Sequence, residues 1–353
     1  MNWIVREQQK EESEFNAGSK ARNDVDTILV NAGFSPLTVQ ASQIESKGAI
    51  RTIRHHFKAY TEWRNTLSVI NSGDVVLIQY PIRNHTVFIG RLIKKLHKRK
   101  IKIIALIHDL ESLRLAISPE IDRRKRLRYI LEEIPALKKC DSIIVHNAHM
   151  KDKIIQLFGV EPDKMKELTL FDYLTPQGCS GEEFNKDMPI VVAGNLSKAK
   201  SGYVYNLPEG MQYILFGANY DCKEADNIDY RGACDPDILP TKLSGSFGLV
   251  WDGPSSETCK GVFGEYLKYN NPHKASLYLA AGMPIIVWSK SALAGFVKNY
   301  NCGITIDSLS DMRDAIGSLS SVQYRDILES VHGVQRLLSS GYYTKKAVID
   351  NFS

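Results

Sequence analysis

The sequence predicts an α/β protein made of two doubly wound domains, each a parallel sheet covered by helices on both faces. Apolar strand-like runs alternate with amphipathic segments, and the strand runs are apolar throughout, as in sheets buried on both faces. At 353 residues the chain has room for two domains. The stretch 175–188 is polar and aperiodic and predicts a linker. We therefore expect an N-terminal domain over 1–174 and a C-terminal domain over 189–353; periodicity does not say on which of them the last helix packs.

Five strands are predicted in the N-terminal domain, each from a short apolar run. These runs are 3–5, 37–39, 75–80, 101–107 and 142–145. The helices carry apolar residues three or four positions apart, the spacing of one helix face. A polar loop ending at 16–20 precedes the first helix, which runs to about residue 32. The other four helices span 47–70, 85–98, 120–139 and 149–158.

The same alternation restarts after the linker. Strands are predicted at 190–193, 211–216, 247–251, 285–288 and 304–306, and helices at about 240–244, 272–281, 292–299, 310–319 and 322–352. Ligands of doubly wound sheets bind outside the carboxyl ends of the strands. Site residues are therefore expected directly after these strands.

The stretch 263–288 organises the C-terminal domain, since it places a capped helix before a strongly apolar strand. Asparagine is a preferred N-cap and proline a preferred first helical residue, so we expect Asn271 at the cap and Pro272, His273 and Lys274 at the next three positions. Lys274 then faces the positive end of the helix dipole, which costs about 0.3–1 kcal/mol. A bound nucleotide diphosphate would remove that cost. The alternative is a Lys274 side chain extending into water, and in either case its removal should spare the fold.

Three other strand ends of this domain carry residues that suit a nucleotide. The candidates are Asn195, Ser197, Lys198, Phe216, Gly217, Trp251 and Asp252. They offer anion donors, a glycine for close approach and an aromatic face. Each is weak alone, because Gly-Asn is a common turn and Lys198 could be an ordinary surface residue. Their succession at consecutive strand ends predicts one nucleotide pocket.

In the N-terminal domain, His108 and Asp109 end a buried strand, and Glu111 follows. A carboxylate there could accept a proton from a sugar hydroxyl, although aspartate after a strand often only caps the next segment. The short side chains of the loop containing Asn16, Gly18 and Lys20 could line the same, acceptor-binding side.

Metal and cofactor motifs are absent: there is no GxGxxG, Walker A or HExxH pattern. Two Asp-x-Asp triplets occur, at 24–26 and 235–237, but residues i and i+2 of a helix do not share a face, and the second triplet lies in a proline-containing loop. We expect neither a metal nor a cofactor. The six cysteines form no CxxC pair, which indicates thiols in a reducing compartment.

Charge and hydropathy bear on location. No signal peptide is visible, and the longest uncharged run, 275–289, is too short for a membrane span. We expect a cytoplasmic protein, or one that sits on the inner face of the cell membrane. The basic runs 91–102 and 123–128 are typical of solvated faces and also fit docking on anionic lipid. Nucleic acid is disfavoured, because no aromatic residues interleave with these cations.

Several stretches resemble bacterial GT-B glycosyltransferases, most closely the β-1,6-galactofuranosyltransferases of O-antigen and capsule assembly. The long match is FGLVWDGPSSETCKGVFGEYLKYNNPHKASLYLA (247–280). Shorter matches are AGNLSKAK (193–200), LFGANYD (215–221), NAGSKARND (16–24), LIHDLESLR (106–114) and LFDYL (170–174). The resemblance implies two Rossmann-like domains facing across a cleft, with the nucleotide sugar held by the C-terminal domain and the acceptor by the N-terminal one.

The resemblance also implies residue roles. Lys198 and Lys274 would contact the diphosphate, helped by Asn195, Asn271 and His273, and Phe216-Gly217 would lie near the uracil. Many retaining members have a ribose-binding glutamate where this chain has Leu277, which argues against a retaining mechanism of that type.

The function implied is an inverting, metal-independent transfer of galactofuranose from UDP-galactofuranose to a lipid-linked sugar, with Asp109 as base. Glu111, Asp252 or a histidine are the alternative bases. The rival functions are the same fold with UDP-glucose or a dTDP-sugar, and a non-catalytic subunit that binds sugar nucleotide. A second copy of the chain is among the partners that the sequence allows.

Overall fold

The computed structural model describes residues 1–9, 17–41, 49–117, 132–175, 184–221 and 225–350. The chain forms two compact units. Unit 1 comprises Met1–Ser13, Arg22–Leu168 and Thr344–Ser353, and unit 2 comprises Glu14–Ala21 and Thr169–Tyr343. Residues 169–174 thus cluster with unit 2 and not with the N-terminal unit, while the chain from Thr344 clusters with unit 1. Most of the linker predicted at 175–188 lies outside the described residues.

Unit 1 is built on a parallel sheet whose described strands lie in the order β2-β1-β3-β4-β5-β6. The strands are β1 (Asn2–Gln9), β2 (Ser35–Ala41), β3 (Val75–Tyr80), β4 (Lys102–Ile107), β5 (Ser142–Val145) and β6 (Met165–Glu167). The helices that alternate with them are α1 (Ala17–Asn31), α2 (Ala49–Thr66), α3 (Ile89–Lys98), α4 (Glu111–Ile117), α5 (132–137 in the described part) and α6 (Ala148–Phe158).

Unit 2 contains a second parallel sheet, with described strands in the order β12-β11-β10-β7-β8-β9. The strands are β7 (Ile190–Ala193), β8 (Tyr213–Phe216), β9 (Ile228–Tyr230), β10 (Gly248–Val250), β11 (Ile285–Trp288) and β12 (Gly303–Ile306). The helices of this half are α7 (Lys198–Ser201), α8 (Leu239–Lys242), α9 (Gly261–Tyr266), α10 (His273–Ala280), α11 (Leu293–Tyr300), α12 (Met312–Gly317), α13 (Ser321–Ser339) and α14 (Tyr342–Ile349).

Both sheets are doubly wound, which confirms the predicted fold class. In unit 1 the strand order reverses between β1 and β3, and in unit 2 it reverses between β7 and β10. At such a switch point the loops after the two strands run to opposite faces and leave a crevice at the carboxyl ends. The sites of each unit are therefore expected at these strand ends.

The sequence prediction differs from the structure in short or broken elements. Strands β6 and β9 and helix α4 were not predicted, because three to seven residues carry too little periodicity to be recognised. The single helix predicted at 322–352 is two helices, since Gly341 takes a left-handed backbone (φ 71°) after α13. The polar loop predicted at 16–20 is already helical from Ala17. Residues 120–131 of another predicted helix lie outside the described residues.

Candidate functional site

Helix α10 is fixed against the switch point of unit 2 by Tyr278. The amide of Ala193, at the end of β7, donates to the Tyr278 hydroxyl oxygen at 2.6 Å. The Tyr278 ring fits there because Gly248 of β10 lacks a side chain: a Cβ at that position would lie 2.1 Å from the ring. Tyr278 thus packs its ring on β10 and reaches the end of β7 with its hydroxyl, which holds α10 at the strands whose ends form the crevice.

Lys274 is buried at the carboxyl end of β10. Its Nζ donates to the Asp252 carboxylate at 2.8 Å and to the Trp251 carbonyl at 2.9 Å, and the Lys274 and Asp252 side chains are only 11% and 7% exposed. The helix begins at His273, with Pro272 as N-cap, so Lys274 is the second helical residue and not the third. The predicted cap at Asn271 is wrong, and so is the alternative in which Lys274 extends into water.

The ammonium of Lys274 has three N–H donors. Two of them are used by Asp252 and Trp251, which leaves one without a partner among the described residues. Lys274 can therefore offer one charge-assisted hydrogen bond to an anion at this strand end while its position is held by the other two.

The loop after β7 presents Asn195, Ser197 and Lys198. The Asn195 Oδ1 accepts from the Ser197 amide at 3.0 Å and from the Asn219 side chain at 3.1 Å, which fixes the turn. Lys198 is 68% exposed, and its Nζ lies 4.0 Å from Asp221. A surface ion pair of this length holds the side chain weakly. Lys198 is thus an exposed, weakly paired cation beside a hydrogen-bonded turn.

The loops after β7 and β8 lie against each other at Gly217. Its backbone is in a region reserved for glycine (φ 151°), and a Cβ there would lie 1.8 Å from the Gly194 carbonyl oxygen. Phe216 itself is buried in the core. Only the backbone of 216–217 can thus face a ligand at this strand end.

Trp251 does not supply the predicted aromatic face. Its ring is fully buried in the core of unit 2, and its Nε1 donates to the Ser255 carbonyl at 2.9 Å. The part that reaches the strand end is its carbonyl oxygen, which accepts from Lys274.

His273 is partly buried and stacks on Tyr173, with 4.8 Å between the ring centroids. Burial, together with the nearby positive charge of Lys20, lowers the pKa of His273 to about 3. The imidazole is therefore neutral at physiological pH. Asn271 is also buried, and its Nδ2 donates to the Thr169 carbonyl. Both residues thus anchor the start of α10.

Lys20 lies on the same side of unit 2 as His273. Its Nζ is 2.8 Å from the Asp237 carboxylate, 2.7 Å from the Leu174 carbonyl oxygen and 4.9 Å from the centroid of the Tyr173 ring. We predicted Lys20 on the acceptor side, yet these contacts are with residues of unit 2. Spacing gave no signal for the Lys20–Asp237 pair, because the two residues are far apart in the sequence. Of the other three residues predicted on the acceptor side, Gly18 is in α1, Asn16 is outside the described residues, and His108 belongs to unit 1.

In unit 1, one arginine holds both candidate bases at the end of β4. Arg114 pairs with the Asp109 carboxylate and, at 2.5 Å, with the Glu111 carboxylate. Asp109 also accepts from the Leu110 amide at 2.9 Å, which is a bond to the next residue and not the N2 or N3 contact of a helix cap. The two carboxylates remain 31% and 26% exposed. The Arg114–Glu111 part was readable from the sequence as a helical i,i+3 pair.

His108 is part of a side-chain hydrogen-bond network within unit 1. Its Nε2 lies 2.6 Å from the Gln79 Oε1, and the Gln79 Nε2 donates to Asp26 at 2.9 Å. Burial raises the pKa of Asp26 to about 7, against the opposing charges of Arg6 and Arg22. His146, at the end of β5, has its pKa lowered to about 4 by burial. The sequence did not indicate Gln79 or Asp26 as members of this cluster.

A small, open pocket lies at the carboxyl end of β3. It is lined by Tyr80, Pro81, Ile82, His85, Ile89, Glu132 and Glu133. Burial raises the pKa of Glu133 to about 7, although the Ser112 amide donates to it at 2.8 Å. The strand ends of unit 1 thus gather carboxyl groups that hold protons near neutral pH.

Within the described ranges, no three His, Cys, Asp or Glu side chains are close enough together to hold a metal ion. The Asp235 carboxylate accepts from the Asp237 amide at 2.8 Å, so this triplet closes a turn. None of the helices in the described part of the chain is long and apolar enough to cross a membrane.

Comparisons with known proteins match both halves of the chain. Residues 1–165 match the glucosyltransferase 3-like N-terminal domain, and residues 190–351 match the C-terminal domain of the same family. The chain is 31% identical over 347 residues to the β-1,6-galactofuranosyltransferase WbbI of Escherichia coli (strain K12), covering 95% of each protein. It is 27% identical over 335 residues to glucosyltransferase 3 of Streptococcus gordonii, covering 94% of this chain and 92% of that protein.

Two solved structures share the fold at low identity. The lipopolysaccharide outer core galactosyltransferase WaaB, in its apo form, superposes with a TM-score of 0.56 at 13% identity, over 99% of this chain and 100% of WaaB. The α-glucosyltransferase AGT in complex with UDP gives 0.54 at 15% identity, over 100% and 98%. Both are glycosyltransferases of the GT-B fold. The chain therefore belongs to the glucosyltransferase 3-like family and is a GT-B glycosyltransferase.

Proposed function

We propose that the protein transfers galactofuranose from UDP-galactofuranose to a hydroxyl of a lipid-linked sugar in the synthesis of a bacterial surface polysaccharide. The observation that carries this proposal is the 31% identity to WbbI over 95% of both chains. The identity to glucosyltransferase 3 is lower, at 27% for the Streptococcus gordonii protein and 23% for the Streptococcus parasanguinis protein. The donor sugar is therefore assigned from WbbI.

The strand ends of unit 2 are the proposed UDP site. Lys198 supplies an exposed cation, and Lys274 supplies one donor from a position held by Asp252. The amides at the start of α10 point outward with no intrahelical partner. Together these groups stabilise the negative charge that grows on the leaving diphosphate in the transition state. We propose that they do this without a metal ion.

Asp109 of unit 1 is the proposed base. The acceptor hydroxyl oxygen attacks the anomeric carbon, its proton passes to the Asp109 carboxylate, and the bond from the anomeric carbon to the diphosphate oxygen breaks with inversion. UDP leaves with the bonding electron pair. Arg114 holds Asp109 and Glu111 together, so Glu111 is the competing assignment.

The test is acceptor-dependent release of the nucleoside diphosphate by the purified protein, UDP from UDP-galactofuranose or UDP-glucose and dTDP from a dTDP-sugar, each with and without EDTA. We expect turnover with UDP-galactofuranose that survives EDTA. Preference for UDP-glucose would overturn the donor assignment in favour of glucosyl transfer, the activity named for two relatives. Binding of UDP without turnover of any donor would indicate a non-catalytic subunit. Loss of activity in EDTA, restored by magnesium, would overturn the metal-independent mechanism.

A further inference from the structure

Helix α2 presents an apolar face to solvent. Ile53 and Phe57, four residues apart on one side of the helix, are each 56% exposed. Phe57 contacts Phe88, with 5.0 Å between ring centroids, and the neighbouring Val87 is also exposed. Side chains of this size normally face the core of a soluble unit. We name these four residues the apolar tip.

Cations surround the apolar tip. Helices α2 and α3 together carry eight lysines and arginines against one acid, Glu62. The Arg91 guanidinium carbon lies 5.2 Å from the centroid of the Phe88 ring, and the Lys95 Nζ lies 5.5 Å from that of Tyr60. The eight cations are Arg51, Arg54, Lys58, Arg64, Arg91, Lys94, Lys95 and Lys98. The patch is therefore apolar at its centre and positive at its rim.

We propose that this patch docks unit 1 on an anionic lipid bilayer. An apolar helix face rimmed by lysine and arginine is the pattern of helices that lie in the membrane interface. The apolar tip would enter the headgroup region, while the cations meet lipid phosphates, each strengthening binding about fivefold. An acidic protein surface without apolar side chains would pair with the cations but leave the apolar tip in water. A bilayer satisfies both, and the positive charge of both helices opposes pairing of two copies through this face.

The structure changes the membrane expectation drawn from the basic runs. Within 91–102, Arg99 is not available, because its guanidinium donates to the carbonyls of Leu67, Ser68 and Ile70. The second run, 123–128, lies outside the described residues. The α2 face was missed because its apolar spacing predicted a side packed on the core. This proposal goes beyond the proposed function and is independent of the donor sugar.

The test is flotation of the full chain with phosphatidylcholine vesicles, with and without phosphatidylglycerol, at low and high salt. The variants are Ile53→Ser with Phe57→Ser, and Lys58→Gln with Lys95→Gln. The matched control is Val322→Ser, which removes an apolar side chain that is 62% exposed in unit 2. All these side chains are surface groups, and unchanged thermal melting would show that the variants are folded.

We expect the wild-type chain and the control to float only with anionic vesicles, and less at high salt. The serine variant should bind about tenfold or more weakly, and the glutamine variant about 25-fold more weakly at low salt, as two steps of about fivefold. Equal binding to neutral vesicles, or unchanged binding of the serine variant, would overturn the proposal. Absence of vesicle binding would also overturn it. If the wild-type chain then sediments as a dimer and the serine variant as a monomer, the patch is an interface between two copies.

Discussion

The two units place opposite chemistry at the carboxyl ends of similar sheets. Unit 1 gathers acids: Asp26 and Glu133 have raised pKa values of about 7, and Asp109 shares an arginine with Glu111. Unit 2 gathers cations and donors around a histidine that burial keeps neutral. One architecture thus provides a proton-accepting environment in one case and an anion-binding environment in the other. The difference lies in the side chains that the surrounding elements bring to each set of strand ends.

The largest expected effect tests the acidic side. Asp109→Asn is nearly isosteric and should lower the turnover number about 10²–10⁴-fold, because a positioned base contributes that much. Affinity for UDP should not change. Steady-state kinetics and calorimetric titration with UDP measure the two quantities.

Glu111→Gln is the matched comparison, since it alters the other carboxylate on Arg114. Near-normal turnover in Asp109→Asn with an inactive Glu111→Gln would assign the base to Glu111. Activity in both variants would move the base elsewhere, with Asp252 or a histidine as the next candidates.

The second prediction concerns the buried ion pair of unit 2. Lys274→Ala should lower the free energy of unfolding by about 3–5 kcal/mol, because it leaves the Asp252 carboxylate buried without its partner. This corrects the expectation from sequence that removal of Lys274 spares the fold. Denaturant unfolding provides the measurement.

Lys274→Met combined with Asp252→Leu is the control, since apolar residues of similar size can replace a buried ion pair at little cost. Stability close to wild type in this double variant would support the assignment. An unchanged free energy of unfolding in Lys274→Ala alone would contradict it.

The third prediction separates binding from folding at the same strand ends. Lys198→Ala should weaken UDP binding by about 1.5–3 kcal/mol, the value of a hydrogen bond to a charged group. The fold should be spared, because the side chain is mostly exposed. Lys298→Ala, at an exposed position of α11, is the control. Equal UDP affinities in calorimetry for both variants would remove Lys198 from the site.

The last prediction is a pH dependence of stability that has opposite signs at Glu133 of unit 1 and His273 of unit 2. Burial raises the pKa of Glu133 in the folded protein to about 7, above the 4.5 of a free glutamate. The stability it contributes is present below pH 4.5 and lost as pH rises towards 7, by at most about 3 kcal/mol. His273, lowered from 6.5 to about 3, contributes stability that is present above pH 6.5 and lost as pH falls.

The free energy of unfolding of Glu133→Gln minus that of wild type should therefore be larger at pH 8 than at pH 4. Denaturant unfolding across this range checks the sign. A variant that stays parallel to wild type at every pH would show that Glu133 does not hold its proton in the folded protein.

The sequence predicted the central strands well because burial on both faces leaves an unmistakable apolar run. Strands at 75–80, 142–145, 190–193 and 285–288 were placed with their observed bounds. Contacts between distant residues were beyond reach. Nothing in the spacing indicated that Tyr278 fits against Gly248, or that Lys20 pairs with Asp237. The site residues were thus found as strand-end positions, while their partners required the fold.

The most direct test of the UDP site proposed on unit 2 is amide hydrogen exchange of the full chain with and without UDP. We predict that UDP slows exchange in peptides covering 194–201, 251–254 and 271–275, the strand ends and helix start of unit 2. Peptides covering 105–115, which contain the proposed base, should exchange at unchanged rates. Protection at 105–115 without protection at the β7 and β10 ends would place the nucleotide on unit 1 and contradict the account.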